Sequence, residues 1–330
     1  MPRWGRRIPP NFFGFGFGLA GLAEIWLVAA SQHRAPAVVA TVLSALAGLV
    51  WLIVTAAYLA HLATDRLALA HDLRDEIVAP FLALAVITPT LLAVVGVYPH
   101  AATAGRVLFN VFLVLTVLFG GWLTGQWIVG RLNMDQVHPG YLLPTVAGGL
   151  VCSAGAAVVG EQRLALVMFG YGTISWLVIG SIVLGRLFLR PMLPVPLLPT
   201  LAIEVAPGAV ASVAWFDAHG DRIDVPIMLL AGYGALMIMV QLRLLPVFLR
   251  LKFMPSTWAF TFSWAAVATA GLYWLGAARP AGYPAEQYLV LAAITVLTGA
   301  IAVRTVVALV RGTLLPAPPP VEHSPEPAAA

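Results

Sequence analysis

Charge is what this sequence has least of. Only 10% of its 330 residues are Asp, Glu, Lys or Arg, while 61% are hydrophobic and the mean hydropathy is +0.93. A soluble domain carries about a quarter charged residues. This chain has too few to keep a water-facing surface wetted, which excludes a soluble globular protein and makes lipid its main solvent. Cysteine is almost missing too. The single Cys152 excludes an internal disulfide and any thiolate-based metal cluster, because such sites need several ligands. The seven histidines fall mostly at helix ends, in loops and in the tail. No HExxH, no GxSxG and no facing Ser–His pair occurs, so the sequence offers no enzyme signature and no metal site. Nor is there a clustered basic face with interleaved aromatics, which argues against nucleic-acid binding.

What fills the chain is apolar runs of about 20 residues, the length that crosses a bilayer. Ten can be marked, at roughly 11–31, 37–62, 79–98, 104–130, 140–160, 164–190, 198–217, 225–250, 257–278 and 286–311. The clearest breaks are TDRLALAHDLRDE at 64–76 and DAHGDRID at 217–224. The expected organisation is a cytoplasmic tail over 1–10, a transmembrane domain over 11–311, and a disordered proline-rich tail over 312–330. No soluble catalytic domain fits between the runs. MPRWGRRIPP followed by an apolar run resembles a signal peptide, but the run is longer than the usual core of about 7–15 residues. It reads as a retained first helix.

The few charges set the orientation. One side would hold Arg3, Arg6, Arg7, Arg66, Arg74, Arg131, Arg186, Arg190, Arg243, Arg250, Lys252, Arg304 and Arg311. The other would hold Arg34, Arg106, Arg163, Arg222 and Arg279, a split of 13 to 5 among the 18 basic residues. Lys and Arg in short loops stay cytoplasmic, so both termini are expected inside the cell, in a bacterial-type inner membrane.

Prolines impose a period. Pro10, Pro80, Pro139, Pro199 and Pro255 stand near the starts of the odd-numbered runs, at steps of 70, 59, 60 and 56 residues. Each step covers one antiparallel helix pair, so the chain reads as five helical hairpins. The odd helices also carry internal breakers: Gly14, Gly16 and Gly18, then Pro89, Pro144, and Pro207 with Gly208. The even ones lack central prolines and are expected to be straight. Broken backbone at membrane depth is tolerated only where protein or a water-filled cavity satisfies the freed groups. The bent helices are therefore expected to face inward, around a central opening in quasi-fivefold arrangement.

HPGYLLPTVAGG (138–149), PTLAIEVAPGAVASVAWF (199–216) and STWAFTFSWAAVATA (256–270) resemble the tellurite-resistance/dicarboxylate transporter family, as does NFFGFGFGLAGLAEIW (11–26). That family includes bacterial TehA proteins, fungal malate permeases and plant guard-cell slow anion channels. The resemblance implies an all-α membrane fold of ten helices, with the odd ones lining a pore, and a homotrimer with one pore per subunit. It implies passage of small anions, or carriage of malate-like four-carbon dicarboxylates or tellurite, with no cofactor. It also implies a pore-blocking phenylalanine on the ninth helix, matched in WAFTFSW by Phe262.

The candidate site residues follow. Trp258, Phe262, Ala265, Ala266 and Thr269 share one helical face, a large ring above small residues. Gly14, Gly18, Pro89, Pro144, Pro207 and Ala266 are the expected kink or pore-lining positions. Half-helix ends at the kinks could hold an anion weakly through their partial charges, or the kinks could serve shape alone. Glu24 and Glu204 lie inside expected spans, where ionisable groups are functional suspects. Ionised and facing the pore, they would repel anions. Sealed from water, a carboxyl favours its neutral form and could couple transport to protons, or simply bond to a helix backbone. Arg243 is a candidate vestibule residue that would attract anions. His138 reads as an interfacial cap that could respond to pH near neutral.

Overall fold

The computed structural model describes residues 8–130 and 132–315. The expected tails fall largely outside these residues, as does Arg131. Among the described residues every regular element is helical. Nine helices among these residues are long and apolar enough to cross a membrane: α1 (Pro10–Ser31), α2 (Ala37–Thr64), α3 (Ala79–Val97), α4 (Ala102–Gly130), α5 (Pro139–Val158), α6 (Gln162–Leu189), α7 (Val195–His219), α8 (Val225–Phe248) and, last, α10 (Tyr283–Val310). Between the last two lies α9 (Ala259–Ala278), led in by a 3-10 turn at Pro255–Trp258. Trp264, Tyr273, Trp274 and several Thr, Ser and Gly residues make α9 less apolar than the rest. A short helix, Ala68–Arg74, interrupts the α2–α3 connection.

Burial alternates along the chain. In α1, α3, α5 and α7 the most apolar stretch is 78, 78, 83 and 100% buried, against 22, 28, 22, 17 and 28% in α2, α4, α6, α8 and α10. The first set is packed in protein and the second lies outside it. α9 buries one face, including Phe262, Ala265, Ala266 and Thr269. In contact order, α1 packs on α3, α3 on α5, α5 on α7, α7 on α9, and α9 back on α1. Each outer helix packs on the inner helix before it, and four of the five also pack on the inner helix that follows. The fifth, α8, touches α9 more sparsely, with Phe248 edge-on to Phe260 at 4.9 Å. Glycines permit the close approaches: a Cβ on Gly149 of α5 would lie 2.6 Å from the Gly172 backbone of α6.

The proline period has a local cause. Pro10, Pro80, Pro139, Pro199 and Pro255 each fall in a 3-10 segment that opens an inner helix: Pro10–Phe12, Ala79–Ala83, Pro139–Leu142, Val195–Val205 and Pro255–Trp258. Proline is tolerated at a helix start, where its missing N–H has no partner to lose. Pro89 lies inside α3 and a π turn follows at Ala93–Val97. The carbonyl that Pro89 cannot engage, that of Ala85, accepts instead from Trp51 Nε1 of α2 at 3.0 Å. Pro144 sits in a π turn at Leu143–Ala147. Pro207 marks the change from the 3-10 to the α part of its span. At Pro89, then, a neighbouring helix supplies the lost partner.

One expectation is corrected. The even helices are not all straight, because α6 carries a π turn at Trp176–Gly180. The wide turn sets the Trp176 ring edge-on to Tyr233 of α8 at 4.8 Å, and Gly180 leaves room beside that ring. No proline marks it.

Candidate functional site

Two cavities lie among the inner helices, and all five contribute to each. The first, about 60 Å³, lies toward the starts of these helices and is lined by Gly14, Phe81, Leu143, Pro207, Trp258 and Phe262, among others. The second, about 200 Å³, lies toward their far ends, with Glu24, Leu91, Ala154, Asp217, Ala266 and Tyr273 in its wall. Phe262 and Val210 line both. The Phe262 ring thus stands between the two spaces.

The ring is held from α1. Phe17 stacks on Phe262 with centroids 3.7 Å apart and planes 20° apart, a contact of about 0.5–1.5 kcal/mol beyond area burial. A Cβ on Gly21 would come within 2.9 Å of the same ring, so the missing side chain makes the space that Phe262 occupies. Gly18 plays a different part from the one expected. It lines neither cavity, and a Cβ there would collide with Thr261 and Trp258, so it closes α1 onto α9.

The two cavities differ in polarity. The wall of the first is apolar apart from Asn11, Ser256 and Ser263. The second carries two carboxyls and a phenol, with the Tyr273 hydroxyl donating to Asp217 Oδ1 at 2.5 Å. No Lys, Arg or His lines either cavity among the described residues. An anion there would meet hydroxyls, the Asn11 amide and, in the second cavity, two carboxyls, with no fixed cation.

The other sequence candidates lie as follows. Glu24 faces the second cavity. Glu204 is buried with Oε1 unpartnered, lies near Tyr233 of α8, and lines neither cavity. Pro89 and Pro144 line neither cavity, although Leu91, Leu143 and Ala147 beside them do. Arg243 is exposed on α8, away from both. His138 is fully buried, so it is no interfacial pH sensor. It does cap α5: the Gly140 N–H donates to Nδ1 at 3.1 Å.

Asp217 and Phe17 escaped the sequence reading. Asp217 was assigned to the charged break after the seventh run, yet α7 continues to His219. Ala206, Val210, Val213 and Asp217 follow at steps of three or four along the face that lines the cavities. Extending that face by one turn would have found it.

A bundle of membrane-crossing helices, with cavities enclosed by its inner members, is a multi-pass membrane protein of the channel or transporter class. The family model described as SLAC1, voltage-dependent anion channel, matches residues 7–311, and the chain belongs to that family. The family expected from the sequence motifs is thus the one found. The chain is similar to the Tellurite resistance protein TehA homolog of Haemophilus influenzae, at 26% identity over 262 residues and 79% of each chain. It is also similar to the S-type anion channel SLAH4 of Arabidopsis thaliana, at 29% identity over 169 residues, 50% of this chain and 45% of that one.

Proposed function

We propose that this protein passes small inorganic or organic anions across a bacterial cell membrane, through a central path that Phe262 blocks. The observation that carries the reading is the position of Phe262 between two cavities walled by the same five helices. In this reading α9 is a tenth span, the five inner helices surround the path in quasi-fivefold order, and the hairpins keep both termini cytoplasmic. The 13-to-5 split of Lys and Arg supports that orientation. A homotrimer with one path per subunit is part of the proposal and rests on the family resemblance. The absence of a cation in either wall suits conduction, since an ion that is held weakly can also leave.

Chloride or nitrate flux into liposomes tests the gate. Phe262→Ala should raise the flux. The barrier removed is a packing contribution, and truncating a buried Phe typically costs about 3–5 kcal/mol, which bounds the gain. Unchanged flux in a folded variant would make Phe262 an ordinary packed ring.

A second reading is a proton-coupled carrier of four-carbon dicarboxylates or tellurite. The observation favouring it is the pair Glu24 and Asp217 in the second cavity. An ionised carboxylate about 4 Å from a passing anion would oppose it by about 4 kcal/mol at an effective dielectric near 20, and protonation removes that barrier. Flux should then rise as pH falls, and Glu24→Gln and Asp217→Asn should flatten the profile. Glu204→Gln, outside both cavities, separates a path carboxyl from a packed one. Identical profiles in all variants would make these carboxyls structural.

A further inference from the structure

α8 packs least on the inner helix after it, meeting α9 chiefly through Phe248, edge-on to Phe260 at 4.9 Å. The gap leaves Phe260, Trp264, Val267 and Gly271 of α9 part-exposed. Two grooves of about 410 and about 340 Å³ run along this face beside α10. They are continuous, because Trp264 and Leu297 line both. Hydrocarbon fills any such crease in a membrane, so the apolar wall alone names no ligand.

The polar groups at one end do. Arg304 lines the mouth of the first groove, six residues before α10 ends at Val310. It is exposed and has no ion-pair or hydrogen-bond partner among the described residues. An unpaired guanidinium on a spanning helix reaches for the phosphate layer. Gln241 lines the same mouth and is only 3% exposed. Its Nε2 donates to the Leu201 carbonyl at 2.8 Å, which leaves Oε1 buried without a donor. Buried acceptors rarely stay unpaired. The mouth therefore asks for an anion and a hydroxyl together.

We infer that this groove binds an anionic, hydroxyl-bearing glycerophospholipid such as phosphatidylglycerol. Its phosphate pairs with Arg304, a headgroup hydroxyl donates to Gln241 Oε1, and one acyl chain lies along α9 past Trp264. From Arg304 to Ile294, which lines the second groove, ten residues of helix span about 15 Å, half of a hydrocarbon core of about 30 Å. The inference is independent of the Phe262 gate.

The test is lipid retention by the detergent-purified protein, read by native mass spectrometry with phosphatidylglycerol or phosphatidylcholine added. Phosphatidylglycerol should be retained about fivefold or more over phosphatidylcholine, and Arg304→Gln should remove that preference. Arg311→Gln, outside the groove, should leave it intact. Ala300→Trp, which fills the groove, should lower phosphatidylglycerol retention while Arg304 is still present, so the inference does not hang on one variant. Glycerol phosphate without chains should not displace the lipid. Equal retention of the two lipids by the wild type, or an unchanged preference in Arg304→Gln, would overturn the site. So would disulfide cross-linking between subunits through Trp264→Cys, which would put a second copy of the chain in the groove.

Discussion

His138 stands one residue ahead of α5, with its ring stacked on Phe81 and edge-on to Tyr141. Because Nδ1 accepts from Gly140, the proton of the neutral ring sits on Nε2, which donates to the Ile77 carbonyl at 3.0 Å. A second proton would have to break the cap. Burial pushes the pKa down to about 4, a fall only partly offset by the Ile77 bond. The unfolded chain takes up that proton near pH 6.5. Between about pH 6.5 and pH 4 the unfolded state therefore binds more protons, and stability falls as pH falls. The contribution is complete above 6.5 and lost by about pH 4, on the order of 3 kcal/mol. Thermal unfolding in one detergent across this range should show the loss in the wild type. His138→Asn keeps a cap acceptor and should show a shallower slope. Parallel slopes would assign the acid sensitivity to other groups.

At the scale of elements, what could be read from the chain was what leaves a local mark. Proline lacks a donor, so it collects where a helix starts, and the five spaced prolines announced five helix starts, each of which opens as a 3-10 segment. Pro144 likewise announced a break, which takes the form of a π turn. The π turn at Trp176–Gly180 left no such mark, because it depends on how Trp176 meets Tyr233 of another helix. Phe17 was hidden for the same reason. GFGFG places Phe15 and Phe17 about 200° apart around the helix, and only the packing of α1 on α9 decides that Phe15 meets Trp258 while Phe17 meets Phe262. Asp217 was lost to a boundary: the charges of DAHGDRID ended the span in the sequence, whereas α7 runs two residues further, to His219. Glu204 had the opposite fate. Its closeness to Pro207 suggested a hydrated kink, but it lies buried in the 3-10 segment before the kink and lines neither cavity.

For the whole molecule, the alternation of burial makes the strongest demand. Lipid shields the outer helices, and water should reach only the spaces between the inner ones. Cys152, the one native cysteine, is fully buried in α5, so labelling of introduced cysteines has little background. Leu91 lines the second cavity, and Ala147 and Ala206 line the first. Leu118, Val178 and Leu236 are exposed mid-helix on α4, α6 and α8, on the outside of the bundle. A membrane-impermeant thiol reagent applied from the side of the second cavity should label a cysteine at Leu91 and none at the three outer positions. If Phe262 separates the cavities, Ala147→Cys and Ala206→Cys should resist the reagent from that side in the native background. They should become reactive when Phe262→Ala is added. Labelling of inner and outer sets at equal rates would discard the inner-ring path altogether. Labelling of Ala147→Cys and Ala206→Cys with Phe262 still in place would keep the path but move the barrier elsewhere.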